Sequence, residues 1–345
     1  MKTPNRFIFP ILMLTLVVVV VLDIAIGSVM IPWDQIYAVL TGGDVLNPGW
    51  ETIVLQFRVP KAITAVLAGS GLAISGLLMQ TLFRNPLAGP FVLGISSGAS
   101  LGVALMILAG SALGMVFTEI SVTGSWVIIT AAITGASLVL LLVLVISLYV
   151  RDSMSLLIIG LMMGSLSGAL VSVLQYFSDA QEIQSFLIWT FGNLGGVHQH
   201  ELVAMTVVVV LGLMASWYFA KPLNALLLGE AYAKSLGVDV KSIRIGIIVI
   251  TSVLAGGITA FCGPLAFIGI AIPHLARIFL KTANHRYLIP GCILLGAIVM
   301  TLCDLVSQMP GSSRTLPINA ITSLVGAPVV IAILMKSRSL SKSFS

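Results

Sequence analysis

Apolar runs recur along the whole chain, and ten of them are long enough to be read as membrane spans. With a window of about 20 residues, which covers roughly 30 Å of hydrocarbon, the pattern predicts an α-helix at each run. The runs lie near 7–28, 60–82, 91–112, 126–149, 154–176, 202–219, 245–262, 264–280, 288–308 and 316–335. Because the number is even, both termini are predicted to lie on one side of the membrane.

The first run also fits a secretory signal, since Lys2 and Arg6 precede it and Ala25-Ile26-Gly27 could serve as a cleavage site. However, its apolar stretch continues from Phe7 to about Leu22, which is longer than a typical signal core. We therefore expect the first span to be retained in the mature protein.

The eighth run is short and interrupted. Gly263-Pro264 breaks it, and only about 13 residues then precede Arg277. One interpretation is a broken span followed by a half-helix, which is tolerated where the freed backbone groups are buried in protein. The other is a tight outer turn between two ordinary helices.

Two segments suggest an internal repeat. VLAGSGLAISG at 66–76 and VLAGGITAFCG at 253–263 agree at six of eleven positions. The first would run inward and the second outward, as the two halves of an inverted-topology repeat do.

Composition agrees with an all-α polytopic membrane protein. Hydrophobic residues make up 58% of the 345 positions, charged residues 8%, and the mean hydropathy is +1.13. No polar linker divides the chain, so residues 1–345 are predicted to form a single transmembrane domain. The three cysteines lie in apolar runs without metal-ligand spacing, which favours inert thiols.

The basic residues predict the orientation. The net charge of +5 is scattered among apolar segments, which argues against nucleic-acid binding. With the N-terminus in the cytoplasm, fourteen of the 17 Lys and Arg residues fall inside, and only Arg58, Lys61 and Arg314 fall outside. We therefore expect a multi-pass membrane protein with both termini in the cytoplasm.

Asp23 and Asp304 fall near the outer ends of their spans, where we expect their carboxylates to reach the interface. The span centres then carry no formal charge. An ion-coupled secondary transporter, one alternative function, usually keeps ionisable groups at membrane depth to bind the driving ion. The pattern therefore favours a transport route whose energy comes from another protein.

Two common enzyme motifs are absent from the sequence. The chain lacks the GxxxxGK[ST] phosphate loop and HExxH, which weighs against an ATPase site and against an intramembrane enzyme. His198, His200 and Glu201 could form a weak metal site, but solvated loop residues are the favoured interpretation. We predict no cofactor or metal in this chain.

The longest inner loop spans residues 221–244 and is expected to contain a short helix that Gly237 ends. Its apolar residues beside cations suit a groove on a soluble partner, although packing on its own membrane domain is an equal alternative.

Five ordered motifs resemble the FecCD or BtuC-like permeases, the membrane subunits of type II ABC importers for iron chelates, haem and cobalamin. They are FRVPKAITAVLAGSGLAISGLLMQTLFRNPLAGPFVLGISSGASLG at 57–102, WTFGNLGGV at 189–197, GEAYAKSLGV at 229–238, GPLAFIGIAIPHLAR at 263–277 and LPINAITSLVGAP at 316–328. The resemblance covers nearly the whole chain. It implies a homodimer with its pathway on the two-fold axis, two ATP-binding cassette subunits inside that hold ATP and Mg, and an extracytoplasmic substrate-binding protein.

The resemblance also implies roles for individual residues. Glu230, Ala231, Tyr232, Leu236 and Gly237 would lie in the groove of the ATPase. Arg58 and Lys61 would receive acidic residues of the binding protein. Cobalamin permeases carry a further Arg where this chain has Gln308, and Arg314 is the expected substitute.

Pathway candidates follow from polarity alone: Gln80, Asn85, Ser96, Ser97, Ser165 and Ser167. The sequence offers no direct reading of the cargo. An iron chelate (siderophore) is expected because it is the commonest cargo of the family, with cobalamin or haem as the alternative.

Overall fold

The computed structural model describes residues 4, 7–109, 122–150, 153–309 and 315–341, and within these ranges the chain is helical without a strand. Below, "inner" means the side predicted to be cytoplasmic. The helices are α1 (Ile8–Ala25), α2 (Trp33–Thr41), α3 (Pro48–Thr52), a π-helical segment (Ile53–Arg58), α4 (Val59–Leu82), a 3-10 turn (Pro90–Leu93), α5 (Ile95–Leu108), α6 (Val122–Tyr149), α7 (Ser153–Phe177), α8 (Ala180–Thr190), α9 (Gln199–Tyr218), α10 (Ala220–Leu226), α11 (Glu230–Ser235), α12 (Val240–Cys262), α13 (Ile268–Leu280), α14 (His285–Ser307) and α15 (Ile318–Ser341).

Each of the ten predicted spans corresponds to an apolar helix. Seven helical stretches in the described ranges are long and apolar enough to cross a bilayer, and they include α1, α6, α7, α9, α12, α14 and the continuous stretch from α3 through α4. Helices α5 and α13 are shorter, with 14 and 13 residues, whereas α15 has 24. The predicted all-α polytopic fold is confirmed, and α5 and α13 are too short to cross as straight helices.

Helix α4 forms the centre of the molecule, and nearly all of its residues are buried. Its backbone touches two other helices where glycines meet. A Cβ added to Gly69 would lie 2.1 Å from the Gly296 carbonyl oxygen on α14, and one added to Gly76 would lie 1.6 Å from that of Gly269 on α13. Only glycine permits such approaches, which is the usual way for membrane helices to pack closely. The single-domain organisation stays a prediction.

The length and start of helix α13 decide between a half-helix and an ordinary helix after the Gly263-Pro264 break. Helix α12 ends at Cys262, Gly263 adopts φ +75°, and α13 begins only at Ile268. With 13 residues, α13 is roughly 20 Å long, short of the hydrocarbon thickness. The backbone N–H of Ala266 donates to Asn319 Oδ1 at 3.1 Å, so a freed polar group is satisfied inside the protein. The half-helix prediction is confirmed, and the alternative of two ordinary helices is wrong.

Helix α5 differs from its predicted span of 91–112. It begins at Ile95, after the 3-10 turn and Gly94, which has φ +72°. The same sequence, Pro-Leu-Ala, precedes both short helices, at residues 86–88 and 264–266. The two repeat copies also contact each other, because a Cβ on Gly71 would lie 2.6 Å from Ile258 Cδ1. These observations support the inverted repeat, which stays a prediction.

The two longest connections on the predicted outer side contain helices outside the ten predicted spans. Residues 29–57 hold α2, α3 and most of the π-helical segment, and residues 177–201 hold α8. Helix α8 has a capping box, in which Asp179 and Glu182 each accept from a backbone N–H at the helix start. Short helices with local caps therefore occupy both connections.

Candidate functional site

The predicted coupling segment, residues 230–237, consists of helix α11 and the turn that follows it. Glycines with positive φ bound it, Gly229 at 109° and Gly237 at 78°, which are conformations that glycine adopts most easily. Ala233 is fully buried and faces the membrane domain. Tyr232 and Leu236 are 48% and 59% exposed, and Ala231 is exposed beside them. The segment therefore presents an apolar and aromatic surface away from the domain.

Glu230 is turned toward its own subunit. Its Oε1 lies 2.9 Å from Nη2 of Arg244, a buried residue of α12. The same guanidinium donates through Nη1 to the Val150 carbonyl at the end of α6, at 3.4 Å. This ion pair ties the first turn of α11 to two membrane helices. Contact of Glu230 with an ATPase groove stays a prediction, and the structure gives the residue an anchoring contact.

The helix after the coupling segment begins at a well-defined cap. Asp239 accepts from the backbone N–H groups of Lys241 and Ser242, and from the Ser242 hydroxyl at 2.5 Å. The Ser242 hydroxyl bond, supported by the backbone bonds, lowers the pKa of Asp239 from its ordinary value because it favours the carboxylate. The coupling segment is thus held at its start by Glu230 and followed by a capped helix.

On the outer side, three buried residues and the half-buried Lys61 form a group that we call the outer polar cluster: Asp23, Lys61, Asp304 and Gln308. Lys61 Nζ lies 3.0 Å from Asp304 Oδ1. Gln308 Nε2 donates to Asp23 Oδ1 at 3.0 Å and to Asp304 Oδ2 at 3.1 Å. The cluster joins α1, α4 and α14.

The expectation that Asp23 and Asp304 reach the interface is wrong. They are only 2% and 1% exposed. Buried carboxylates need partners, and here the partners are Lys61 and Gln308. Asp304 and Gln308 are four residues apart on one helix face, and this spacing is a sequence signal for their pairing.

Arg58 is also used within the chain. It is 8% exposed, and its Nη1 donates to the carbonyls of Ile24 at 2.9 Å and Ala25 at 2.8 Å, while Nη2 donates to that of Val29. The Ile24 and Ala25 carbonyls belong to the last turn of α1, where acceptors lack partners within the helix. Arg58 therefore caps α1, and its burial weighs against a docking role. Lys61 keeps 22% of its side chain exposed, and Arg314 lies outside the described residues.

The pathway candidates do not converge on one surface. Gln80 is buried against α13, where it donates to the Ile270 carbonyl at 3.1 Å and accepts from Arg277 Nη1 at 2.6 Å. Asn85 Oδ1 accepts from the Leu87 N–H in a turn, at 2.9 Å. Ser96 Oγ lies 3.3 Å from Thr259 Oγ1 on α12, in a half-buried position. Gln80 and Asn85 thus already have hydrogen-bond partners within the protein.

The remaining serines lie on or beside α7. Ser97 is half-buried, 3.4 Å from where a Cβ on Gly164 would lie. Ser165 is exposed and donates to the Leu161 carbonyl at 3.1 Å, which is a helix-internal bond. Ser167 is buried and lines an apolar groove of about 590 Å³ between α5, α6 and α7. Of the six candidates, only Ser165 lies on an open helix surface.

His198 and Glu201 have a structural role at the start of α9. Glu201 Oε2 accepts from the His198 backbone N–H at 2.9 Å and lies 3.4 Å from His198 Nδ1. In the described ranges, no group of three His, Cys, Asp or Glu residues has a metal-binding arrangement.

Comparisons with known proteins match most of the chain. A sequence model described as the FecCD transport family matches residues 15–336. The vitamin B12 import system permease protein BtuC of Salmonella typhimurium is 36% identical over 297 residues, covering 86% of this chain and 87% of the relative. BtuC of Escherichia coli O9:H4 is 34% identical over 301 residues, covering 87% and 88%.

Two solved structures are similar. One is an ABC transporter described as of metal-chelate type, in an inward-facing conformation, with a TM-score of 0.83, 31% identity, and coverage of 96% of this chain and all of that one. The other is PsaBC from Streptococcus pneumoniae in complex with Fab, with a TM-score of 0.51, 19% identity and coverage of 80% and 90%. At that identity, the second similarity concerns the fold alone.

Proposed function

The chain belongs to the FecCD transport family as the permease subunit of an ABC importer, and from this premise we propose that it conducts a metal chelate across the bacterial inner membrane. In this proposal two ATP-binding cassette subunits, which hold ATP and Mg, bind on the inner side and drive the movement. A substrate-binding protein delivers the cargo on the outer side, and both termini lie in the cytoplasm.

The observation that carries the proposal is the shape of the coupling segment. A short helix exposes Tyr232 and Leu236 while its opposite face is buried and its first residue is ion-paired to α12. An exposed aromatic and aliphatic pair on a fixed helix is the kind of anchor that fills a groove on a partner. A nucleotide-driven movement of that groove would reach the membrane helices through the anchoring contacts.

We propose a ferric siderophore as the cargo, with cobalamin as the second candidate. Cobalamin is favoured by the relatives named for vitamin B12 import. Against it, Gln308 stands where cobalamin permeases carry an arginine, and its amide is occupied by Asp23 and Asp304. The similar solved structure, described as an ABC transporter of metal-chelate type, supports metal chelates as the class of cargo. Ferric siderophores and cobalamin both belong to that class.

Docking of the binding protein is proposed for Lys61, with Arg314 as a second cation. Lys61 retains partial exposure, but a docking carboxylate would compete with Asp304 for its ammonium. We therefore expect the outer cations to contribute modestly to docking and to its salt dependence.

The subunit is proposed to act as a homodimer whose pathway lies between the two copies. Helix α7 supports this arrangement, because it is among the least buried of the long apolar helices and carries Ser165 on its open surface. In this arrangement, Ser165 is the pathway candidate that we favour.

The proposal is tested by reconstituting the chain in liposomes with its ATPase and binding protein. Uptake of a ferric siderophore, haem and cobalamin is then measured side by side, with ATP or a non-hydrolysable analogue. ATP-driven uptake of one cargo that requires the binding protein is the expected result. Uptake driven by an ion gradient without ATP would instead identify an ion-coupled secondary transporter.

A further inference from the structure

A buried polar network links the coupling region to the central helices. We call it the His285 network, and it consists of Thr81 on α4, Asn224 on α10, and Asn284 and His285 at the start of α14. None of these residues belongs to the segment that contacts an ATPase in the proposed function, or to the outer polar cluster.

Asn224 fixes the start of α14 from a different helix. Its Oδ1 accepts the backbone N–H of His285 at 2.9 Å. Its Nδ2 donates to Asn284 Oδ1 at 3.0 Å, and that same oxygen accepts the backbone N–H of Arg286 at 3.0 Å. The first N–H groups of a helix lack partners within the helix, so Asn284 acts as the local cap and Asn224 as a second cap supplied by α10.

The His285 ring bridges α10 and α4. The side chain is fully buried, with Nδ1 2.9 Å from Asn224 Oδ1 and Nε2 2.9 Å from Thr81 Oγ1. Asn224 Oδ1 can only accept, so a neutral ring donates from Nδ1 and accepts the Thr81 hydroxyl proton at Nε2. Thr81 is the only member of the network on α4, and Asn224 the only one on α10.

The helices at the far end of this network are closely joined. Helices α4 and α14 touch at their backbones, where Gly69 and Gly296 meet. A displacement applied at His285 and Thr81 therefore acts on the two helices as a pair. At the near end, Asn224 is six residues before the coupling segment, on a helix whose Leu223 and Leu226 are buried.

Hydrogen bonds in such a network resist sliding more than apolar contacts do. A buried donor or acceptor that loses its partner keeps the full cost of desolvation, whereas methyl groups that slip past each other lose little. The network thus holds α10 at a fixed distance from the α4–α14 pair while the surrounding leucines can repack.

We propose that the His285 network is a positioning link that transmits movement of the coupling segment to the α4–α14 pair. This inference rests on the proposed function, because only a chain driven by an ATPase has such a movement to transmit. The Glu230–Arg244 ion pair then transmits movement to α12, and the His285 network is a second, separate connection.

The test compares two threonines of α4 in the complex reconstituted with ATPase and binding protein. Thr81 and Thr64 are both buried, and each hydroxyl oxygen lies 2.8 Å from the carbonyl oxygen four residues earlier, but only Thr81 meets a histidine. The readout is cargo transported per ATP hydrolysed, using whichever of ferric siderophore, haem and cobalamin the wild type takes up. We expect Thr81→Val to lower this ratio at least about fivefold, in the range of ordinary coupling energies, with Thr64→Val unchanged and Thr81→Ser restored.

A double-mutant cycle tests whether Thr81 and Asn224 act through one connected network or as two independent contacts. Thr81 and Asn224 meet only through His285, so breaking either end should remove the same coupling. We expect Thr81→Val with Asn224→Ala to lower the ratio no further than the single substitutions do. Losses that multiply would overturn the proposal, since independent contacts add in free energy.

Two results distinguish failure of the proposed function from failure of the positioning link. If the wild type shows no ATP-driven uptake, the proposed function fails. If the wild type transports and Thr81→Val keeps a normal ratio, with or without a lower melting temperature, only the positioning link is overturned. Where Asn224→Ala reduces the amount of folded subunit, the comparison of Thr81→Val with Thr64→Val decides alone.

Discussion

The outer polar cluster and the coupling segment both carry charged residues of the family motifs, yet they use them in opposite ways. On the outer side, Lys61 pairs with buried Asp304, and neighbouring Arg58 caps α1 with a buried guanidinium. On the inner side, Glu230 makes one anchoring ion pair, while Tyr232 and Leu236 remain open. The outer charges hold helices together, and the inner segment presents a surface.

This difference shows that a charged residue at a predicted interface does not by itself indicate docking. What matters is whether the polar group already has partners within the chain. Substitutions in the outer cluster should therefore lower stability, and substitutions in the coupling segment should lower transport at unchanged stability.

The largest effect is expected for Lys61→Met. It leaves the buried Asp304 carboxylate without its cation, and breaking a buried pair costs about 3 kcal/mol or more. The free energy of unfolding in detergent is the measurement, with Lys221→Met on the exposed inner surface as the control. Adding Asp304→Asn should recover most of the loss, because position 304 then carries no charge that requires Lys61. Unchanged stability with weaker binding-protein affinity would mean that Lys61 acts in docking alone and does not hold the helices together.

Tyr232→Ala with Leu236→Ala should give the next largest effect. Truncating exposed anchor residues typically costs about 2 kcal/mol, or roughly 30-fold in affinity for the ATPase. Both the affinity and ATP-driven uptake are measured, and the melting temperature of the isolated subunit should not change. A lowered melting temperature with normal ATPase affinity would mean that the segment is an ordinary part of the fold.

Gly237→Ala should have a smaller effect, and Gly42→Ala is its matched control. Both glycines have φ near +75°, at 78° and 75°, and an added Cβ meets nothing within 4 Å at either site. Each substitution should cost about 1 kcal/mol of backbone strain. Only Gly237→Ala should lower cargo transported per ATP, because Gly42 lies in an outer loop. Equal ratios for the two variants would remove the turn at Gly237 from the coupling mechanism.

The smallest effect is expected for Glu230→Gln. The ion pair with Arg244 is partly exposed on the glutamate side, so its loss should cost at most about 1 kcal/mol of stability. The amide oxygen can still accept from Arg244, and ATP-driven uptake should fall about twofold to threefold. A complete loss of uptake at normal stability would indicate that Glu230 contacts the ATPase directly.

The spans and the half-helix could be predicted from the sequence because both depend on local features. Apolar length defines a span, and Gly263-Pro264 followed by only 13 helical residues in α13 defines the break. The inner boundary of α5 was not predicted, although the Pro-Leu-Ala shared by residues 86–88 and 264–266 signalled it.

The polar pairings could not be predicted because they join distant parts of the chain. Gln308 bonds Asp23 across 285 residues, and His285 bonds Thr81 across 204. Composition and spacing give the polarity of such residues, but only helix packing decides which of them meet. The docking role inferred for Arg58 illustrates this limit, since its partners are carbonyls in the last turn of α1 that no motif encodes.

The central claim, that residues 230–237 contact the ATPase, is tested most directly by site-specific photo-crosslinking in the assembled importer. In one variant a photo-crosslinking amino acid replaces Tyr232. In a second variant the same amino acid replaces Tyr37, an exposed tyrosine of α2 on the predicted outer side. We predict that position 232 crosslinks to the ATP-binding subunit and position 37 does not. A crosslink to that subunit from position 37 and none from position 232 would contradict both the coupling contact and the predicted orientation.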